Sequence, residues 1–168
     1  MFKIFLFWAY KLFMEKLIKW EKGFFSNTYH LFSNGIEVGT LKISVWSRRS
    51  KGVLDEKEFD LITNGFFKQE TTIIDSKTGQ EIARIVYNNW RSKALIRLID
   101  GLECQWEYTN FWHTKWILKK SLYSINYHRG MGTTGEITSF IPDESLILAG
   151  LFIANYFQRR RSAAAASA

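Results

Sequence analysis

The stretch Ser145 to Phe157, reading SLILAGLFIANYF, carries apolar side chains on every side of any helix drawn through it, so no single face can be the one that meets a core. Such a helix has to be surrounded. Its start is marked by Pro142, the only proline, and by Asp143 and Glu144, whose charges suit the positive end of a helix dipole. Arg159, Arg160 and Arg161 follow the other end as dipole complement and polar stop. Together these signals predict a helix over residues 143–158. At about 1.5 Å per residue the apolar part spans roughly 20 Å, short of the ~30 Å hydrocarbon core of a bilayer, and Asn155 lies inside it. The cover is therefore expected to be protein, with a C-terminal membrane anchor as the alternative.

The rest of the chain is punctuated like antiparallel sheet. Asn34-Gly35 divides Thr28 to Phe32 from Ile36 to Val38, the strongest short hairpin signal. The apolar phase then slips around Gly39, which predicts a bulge. Asn64-Gly65, Ser76 to Gly79 and Asp100-Gly101 are further turns. Trp106 and Tyr108 alternate with Gln105 and Glu107, and Tyr123, Ile125 and Tyr127 with Ser124, Asn126 and His128, as half-buried strands do. Between the first two hairpins, Ser50 to Asp60 reads as an exposed charged connection, with Asp55, Glu56, Glu58 and Asp60 lacking the spacing of a calcium loop. This density of turns, with 17% aromatic residues, favours a sandwich or barrel over βαβ units. The expected fold is mainly β: a closed antiparallel barrel of ten to twelve strands wrapped around the C-terminal hydrophobic helix. The barrel should occupy residues 19–161, with residues 162–168 a disordered, loose tail. Residues 1–18, apolar with interspersed lysines, lack a signal-peptide cleavage site and are broken by Lys11, which argues against a span. An amphipathic helix and a first strand both remain open for them.

Several chemistries are excluded or disfavoured by the residues themselves. Cys104 is single, so no intramolecular disulfide exists, and it reads as a small buried hydrophobe. His30, His113 and His128 lack metal-ligand spacing, so no metal is expected. Gly130 to Gly135 satisfies G-x-G-x-x-G in letter, but Glu136 to Ile141 reads as strand where a nucleotide site needs a helix N-terminus; a hairpin turn is expected and no cofactor. No nucleophile and base pair stands out, so the chain is read as not an enzyme. The net charge of +7 suits acidic partners, nucleic acid or an anionic membrane leaflet, and equally a merely solvated surface. Aromatics spread over nearly every strand, rather than in an RNA-binding cluster, make nucleic acid the lesser reading.

Short patterns over residues 19–161 resemble small bacterial-type members of the tubby C-terminal-like superfamily, which spans tubby, LURP-one-related and phospholipid scramblase proteins. They are Tyr29 to Phe32 with Gly35 and Gly39, Asn64 to Phe67, Asp75 to Gly79, Asp100-Gly101 before Trp106, and the terminal helix running into arginines and alanines. The resemblance implies a barrel threaded by its C-terminal helix and a lipid-related role. Neither the tubby phosphoinositide motif nor the scramblase calcium segment is matched residue by residue. The expected function is a non-catalytic binding module, cytoplasmic and peripheral at the inner face of a membrane. Its candidate anionic-lipid contacts are Arg48, Arg49 and Lys51 after Trp46, and Lys119, Lys120 and Arg129 near Trp112 and Trp116. A protein-interaction domain is the alternative.

Overall fold

A computed structural model describes residues 15–168 together with Lys3. The expectation for residues 1–14 therefore lies, Lys3 apart, outside the described residues. Twelve strands form one closed antiparallel barrel in which each strand pairs with its sequence neighbours and the last closes on the first. They are β1 (Lys16–Lys22), β2 (Thr28–Ser33), β3 (Ile36–Lys42), β4 (Arg49–Leu54), β5 (Lys57–Asn64), β6 (Glu70–Asp75), β7 (Glu81–Asn88), β8 (Lys93–Leu98), β9 (Glu103–Tyr108), β10 (Lys115–Lys120), β11 (Tyr123–Arg129) and β12 (Thr134–Ser139). One helix, α1 (Glu144–Ala166), follows.

The helix threads the barrel. Every residue from Ser145 to Asn155, and Phe157, is buried, and the strands turn alternate side chains onto it, as a pleat requires. Inward positions include Ile18 and Trp20, Ile96, Cys104 and Trp106, Leu118, and Ile125 and Tyr127. Several side chains bond the inner face to the helix: Trp106 Nε1 donates to the Gly150 carbonyl at 3.0 Å, and Asn155 Nδ2 donates to Tyr29 Oη at 3.0 Å, while Trp20 Nε1 and Trp116 Nε1 are buried without a protein partner. Tyr127 Oη donates to the Ile147 carbonyl at 3.0 Å. The enclosing barrel thus satisfies the one amide that a lipid cover would have left bare. Gly150 is obligatory here, because a Cβ would stand 2.1 Å from Tyr127 Oη.

Several local expectations hold and several are corrected. Asn34 and Gly35 both have positive φ (50° and 77°), the twist-matched two-residue hairpin. The bulge is Val38, since the pairing passes from Leu31 with Gly39 to Phe32 with Glu37. Ser50 to Asp60 is no open connection. It is the β4–β5 hairpin, turning at Asp55-Glu56 with φ of 49° and 67°, and Asp60 is buried. The barrel begins at Lys16 rather than residue 19, so Lys16 to Ile18 belong to the first strand. Asp143 is the N-cap, accepting from Leu146 N at 3.2 Å. At the other end the helix runs to Ala166, eight residues beyond 158, so the expected loose tail is helical up to there. Alanine is the strongest helix former, and four follow Ser162.

The meander sorts the turns into two sets. Loops after β1, β3, β5, β7, β9 and β11 crowd the end where α1 emerges, and the remaining turns surround its start.

Candidate functional site

The end where α1 emerges carries six loops: 23–27, 43–48, 65–69, 89–92, 109–114 and 130–133. None contains an aspartate or glutamate. Between them they hold all eight exposed Phe and Trp side chains among the described residues: Phe24, Phe25, Trp46, Phe66, Phe67, Trp90, Phe111 and Trp112, each at least 77% exposed. Met131 in the sixth loop is 98% exposed. Three of the loops present edge-to-face pairs, Phe24 with Phe25, Phe66 with Phe67 and Phe111 with Trp112. Single exposed apolar residues scattered over a surface need no explanation, but a whole ring of them at one end marks an interaction face.

Cations share this end. Arg48, Lys68 and Arg91 lie in the loops, Lys22, Arg49, Lys115 and Arg129 at the adjoining strand ends, and Arg159 to Arg161 on the helix at the barrel mouth. Of these, only Arg49 enters an ion pair among the described residues, its Nε lying 3.9 Å from Asp60 Oδ1. The arginines on α1 are not its polar stop. They stand inside the helix, with Arg159 Nη1 donating to the Ser44 carbonyl at 3.4 Å and Arg161 Nη1 to Tyr108 Oη at 3.1 Å. Their charges are felt nearby. The Lys22 ammonium lies below the ordinary lysine value through burial and then repulsion by Arg159 and Arg129. His113 is likewise lowered by burial and then by Arg161 and Arg129. The site is thus a positive field with nothing negative in its loops to quench it.

The residues singled out in the sequence divide between the ends. Arg48, Arg49 and Arg129 come together at the aromatic end. Lys51 points outward from the barrel wall, paired in register with Asp60. Lys119 and Lys120 run toward the opposite end, where β10 turns into Ser121-Leu122. Lys119 Nζ also lies 3.0 Å from Glu107 Oε1, and the Glu107 carboxyl is held below its ordinary value by Lys93 and Lys119. These lysines do not belong to one surface with Arg48. Sequence reasoning noted Trp46 and Trp112 but missed the loop phenylalanines, Trp90, Lys68, Arg91 and the role of Arg159 to Arg161 at the barrel mouth. The available signal was parity: in an antiparallel meander every second turn faces the same way.

The other chemistry-bearing groups are structural. Cys104 is buried, and burial pushes its thiol up to about 11, away from reactivity. Among the described residues no three His, Cys, Asp or Glu side chains converge as metal ligands. No described helix is long and apolar enough to cross a membrane. The barrel wall carries outward ion pairs such as Arg97 with Glu103 and Arg84 with Glu81, where a lipid-facing strand would carry apolar residues. No family model, curated protein or solved structure matches the chain.

Proposed function

We propose that this protein is a non-catalytic membrane-binding module that docks the aromatic, basic end of its barrel onto an anionic bilayer. The carrying observation is the coincidence, on one end, of every exposed Phe and Trp side chain among the described residues with arginines and lysines that, Arg49 apart, enter no ion pair there, and with acid-free loops. Trp suits the headgroup layer, Phe the acyl boundary beneath it, and each Lys or Arg near an anionic leaflet adds about 1 kcal/mol. The two terms reinforce each other: charge brings the end to the surface and apolar burial holds it there. An anionic inner leaflet, and hence a cytoplasmic protein, fits this reading. The twelve-strand barrel around a hydrophobic helix supports the resemblance to the tubby C-terminal-like superfamily. Ser145 to Asn155 and Phe157 are buried within the barrel, which favours contact through the loops over a C-terminal anchor.

A protein partner is the competing occupant, since Trp, Phe and Arg also dominate protein interfaces. Sedimentation with neutral and anionic vesicles at low and high salt separates the two. The expected result is binding to anionic vesicles, weakened by salt, and weakened again by replacing Trp46, Phe66 and Phe67 with serine. A protein that ignores both vesicle types overturns the proposal and transfers the aromatic end to a protein partner.

A further inference from the structure

A cavity of about 470 Å³ opens within the aromatic end, between the emerging turn of α1 and the loops 43–48 and 65–69. It is lined by the buried Ile43, Phe152 and Asn155 and by the exposed Arg48, Arg159 and Arg160. No carboxylate lines it; the remaining polar groups are hydroxyls and amides, including Ser44, Ser47 and Thr63. Three arginines and no acid in the lining suit a compact anion of more than one charge.

We propose that this cavity seats a phosphomonoester, the terminal phosphate of a small polar group. The guanidinium fork matches phosphate oxygens in pairs, and charge-assisted bonds of this kind are about twice as strong as neutral ones. Arg159 is already tied to the Ser44 carbonyl by a single bond of 3.4 Å, which fixes the loop to the helix and leaves its other donors free. Arg48 and Arg160 have no carboxylate partner among the described residues; Arg160 lies over the Tyr156 ring, 5.8 Å from its centroid. The loop between Ser44 and Arg49 is held in shape from within. Ser47 N donates to Ser44 Oγ at 2.9 Å, and Ser47 Oγ donates to the Arg49 carbonyl at 3.1 Å. The loop that carries Arg48 is therefore held in shape before any ligand arrives, which lowers the ordering cost of binding.

Position identifies the bearer of the phosphate. The same two loops that wall the cavity carry Trp46, Phe66 and Phe67 outward. A lipid whose headgroup fills the cavity then has its acyl chains beside the side chains that enter the bilayer. This assignment of the source rests on the membrane reading above, whereas the phosphate chemistry does not.

The test uses the full-length protein and three probes: vesicles containing phosphatidic acid, vesicles containing phosphatidylglycerol matched to the same surface potential, and free glycerol 3-phosphate. Phosphatidic acid bears a phosphomonoester and phosphatidylglycerol only a diester. The expected result is about tenfold tighter binding to phosphatidic acid vesicles, falling to parity in Arg48→Gln with Arg160→Gln, in keeping with the strength of paired guanidinium contacts. Arg91→Gln with Lys115→Gln, at the same end but outside the cavity, should weaken both vesicle types equally and leave the ratio unchanged. Equal wild-type binding to both vesicles, with no binding of glycerol 3-phosphate, overturns the cavity and leaves membrane docking intact. Glycerol 3-phosphate binding that is lost in Arg48→Gln with Arg160→Gln, without any vesicle binding, upholds the cavity with a free phosphate and overturns the membrane reading. Binding of no probe overturns both.

Discussion

The two mouths of the barrel solve the same closure problem with opposite surfaces. Around the start of α1 the connections include the two-residue turns Asn34-Gly35, Asp55-Glu56 and Ser121-Leu122. Acidic groups gather there, Asp55, Glu56, Asp100, Asp143 and Glu144, and cations answer them: Lys57 Nζ lies 2.8 Å from Glu144 Oε2, and Lys16 pairs with Asp55. Its exposed apolar residues include the aliphatic Ile99 and Leu122, and its one exposed aromatic among the described residues is Tyr123, at 50%. At the emerging end every loop has at least four residues and none holds an acid, the aromatics are exposed, and of the cations named above only Arg49 enters an ion pair among the described residues. Tight turns at one mouth show that closing this barrel requires no long aromatic loops. Those loops are therefore an addition to the scaffold, and an exposed aromatic ring is a cost to a free protein that a partner surface offsets.

The largest effect should come from destroying the scaffold that separates the two mouths. Leu151→Asp places an unpaired charge on a buried helix position, and Gly150→Val drives a side chain into Tyr127. Each should cost at least about 4 kcal/mol and leave no cooperative thermal transition. A well-folded variant of either kind would show that the helix is not enclosed. Next in size is the aromatic end itself. Trp46→Ser with Phe66→Ser and Phe67→Ser should reduce anionic-vesicle affinity by about a hundredfold while shifting stability by less than ~0.5 kcal/mol, because these side chains pack on nothing in the barrel. The mirror variant, Ile99→Ser with Leu122→Ser, should leave vesicle binding unchanged. Co-sedimentation and thermal melts compare the two directly.

Charge gives the third contrast. Arg48→Glu with Arg49→Glu should weaken binding to anionic vesicles at least about tenfold at low salt, and much less at high salt, since each cation near the leaflet is worth about 1 kcal/mol and is screened. Lys119→Glu with Lys120→Glu, on the wall running toward the acidic mouth, should do less. Equal effects would mean that no end is preferred.

The smallest effect is protonation of His113, which sits beside Trp112 in the positive field. Its imidazole is lowered by burial and by Arg161 and Arg129. The folded protein therefore resists protonating it, so its contribution to stability is full above the ordinary value of 6.5 and declines as pH falls below it. An anionic surface relieves the repulsion and moves the imidazole back up. Vesicle binding should accordingly take up a proton and tighten as pH falls below 6.5, and His113→Gln should flatten that slope. NMR titration of His113 with and without anionic lipid reads the shift; no upward movement would place the histidine away from the docked surface.

Much of the fold was legible because its strongest signals are local. An apolar helix with no polar face demands a container, and Asn-Gly or Asp-Gly turns between alternating strands supply one. Strand β4 escaped notice for a physical reason. Its inward positions are Ser50, Gly52 and Leu54, and at Gly52 a Cβ would stand 2.9 Å from Leu148 Cδ1. The helix passes too close for a large side chain, so the apolar alternation that announces a strand is missing there. The helix end was misplaced because three arginines look like a terminus in sequence, while in space they mark the barrel mouth. The candidate site was half legible. Arg48, Arg49 and Arg129 belong to it, but Lys119 and Lys120, near Trp112 and Trp116 in sequence, run toward the other end because strand direction and not sequence distance decides which mouth a residue joins. Pairs such as Phe24-Phe25 and Phe66-Phe67 carry no functional signal in the sequence, because only the turn parity places them on one rim.

Entry of the aromatic end into an anionic bilayer is read out by quenching of tryptophan emission by brominated acyl chains. Trp46, Trp90 and Trp112 are exposed in the loops, whereas Trp20, Trp106 and Trp116 are buried in the barrel. Docking through this end should give strong quenching of the wild-type protein on anionic vesicles, and its loss when those three loop tryptophans are changed to phenylalanine. No quenching of the wild-type protein, or equal quenching of the variant, would contradict it.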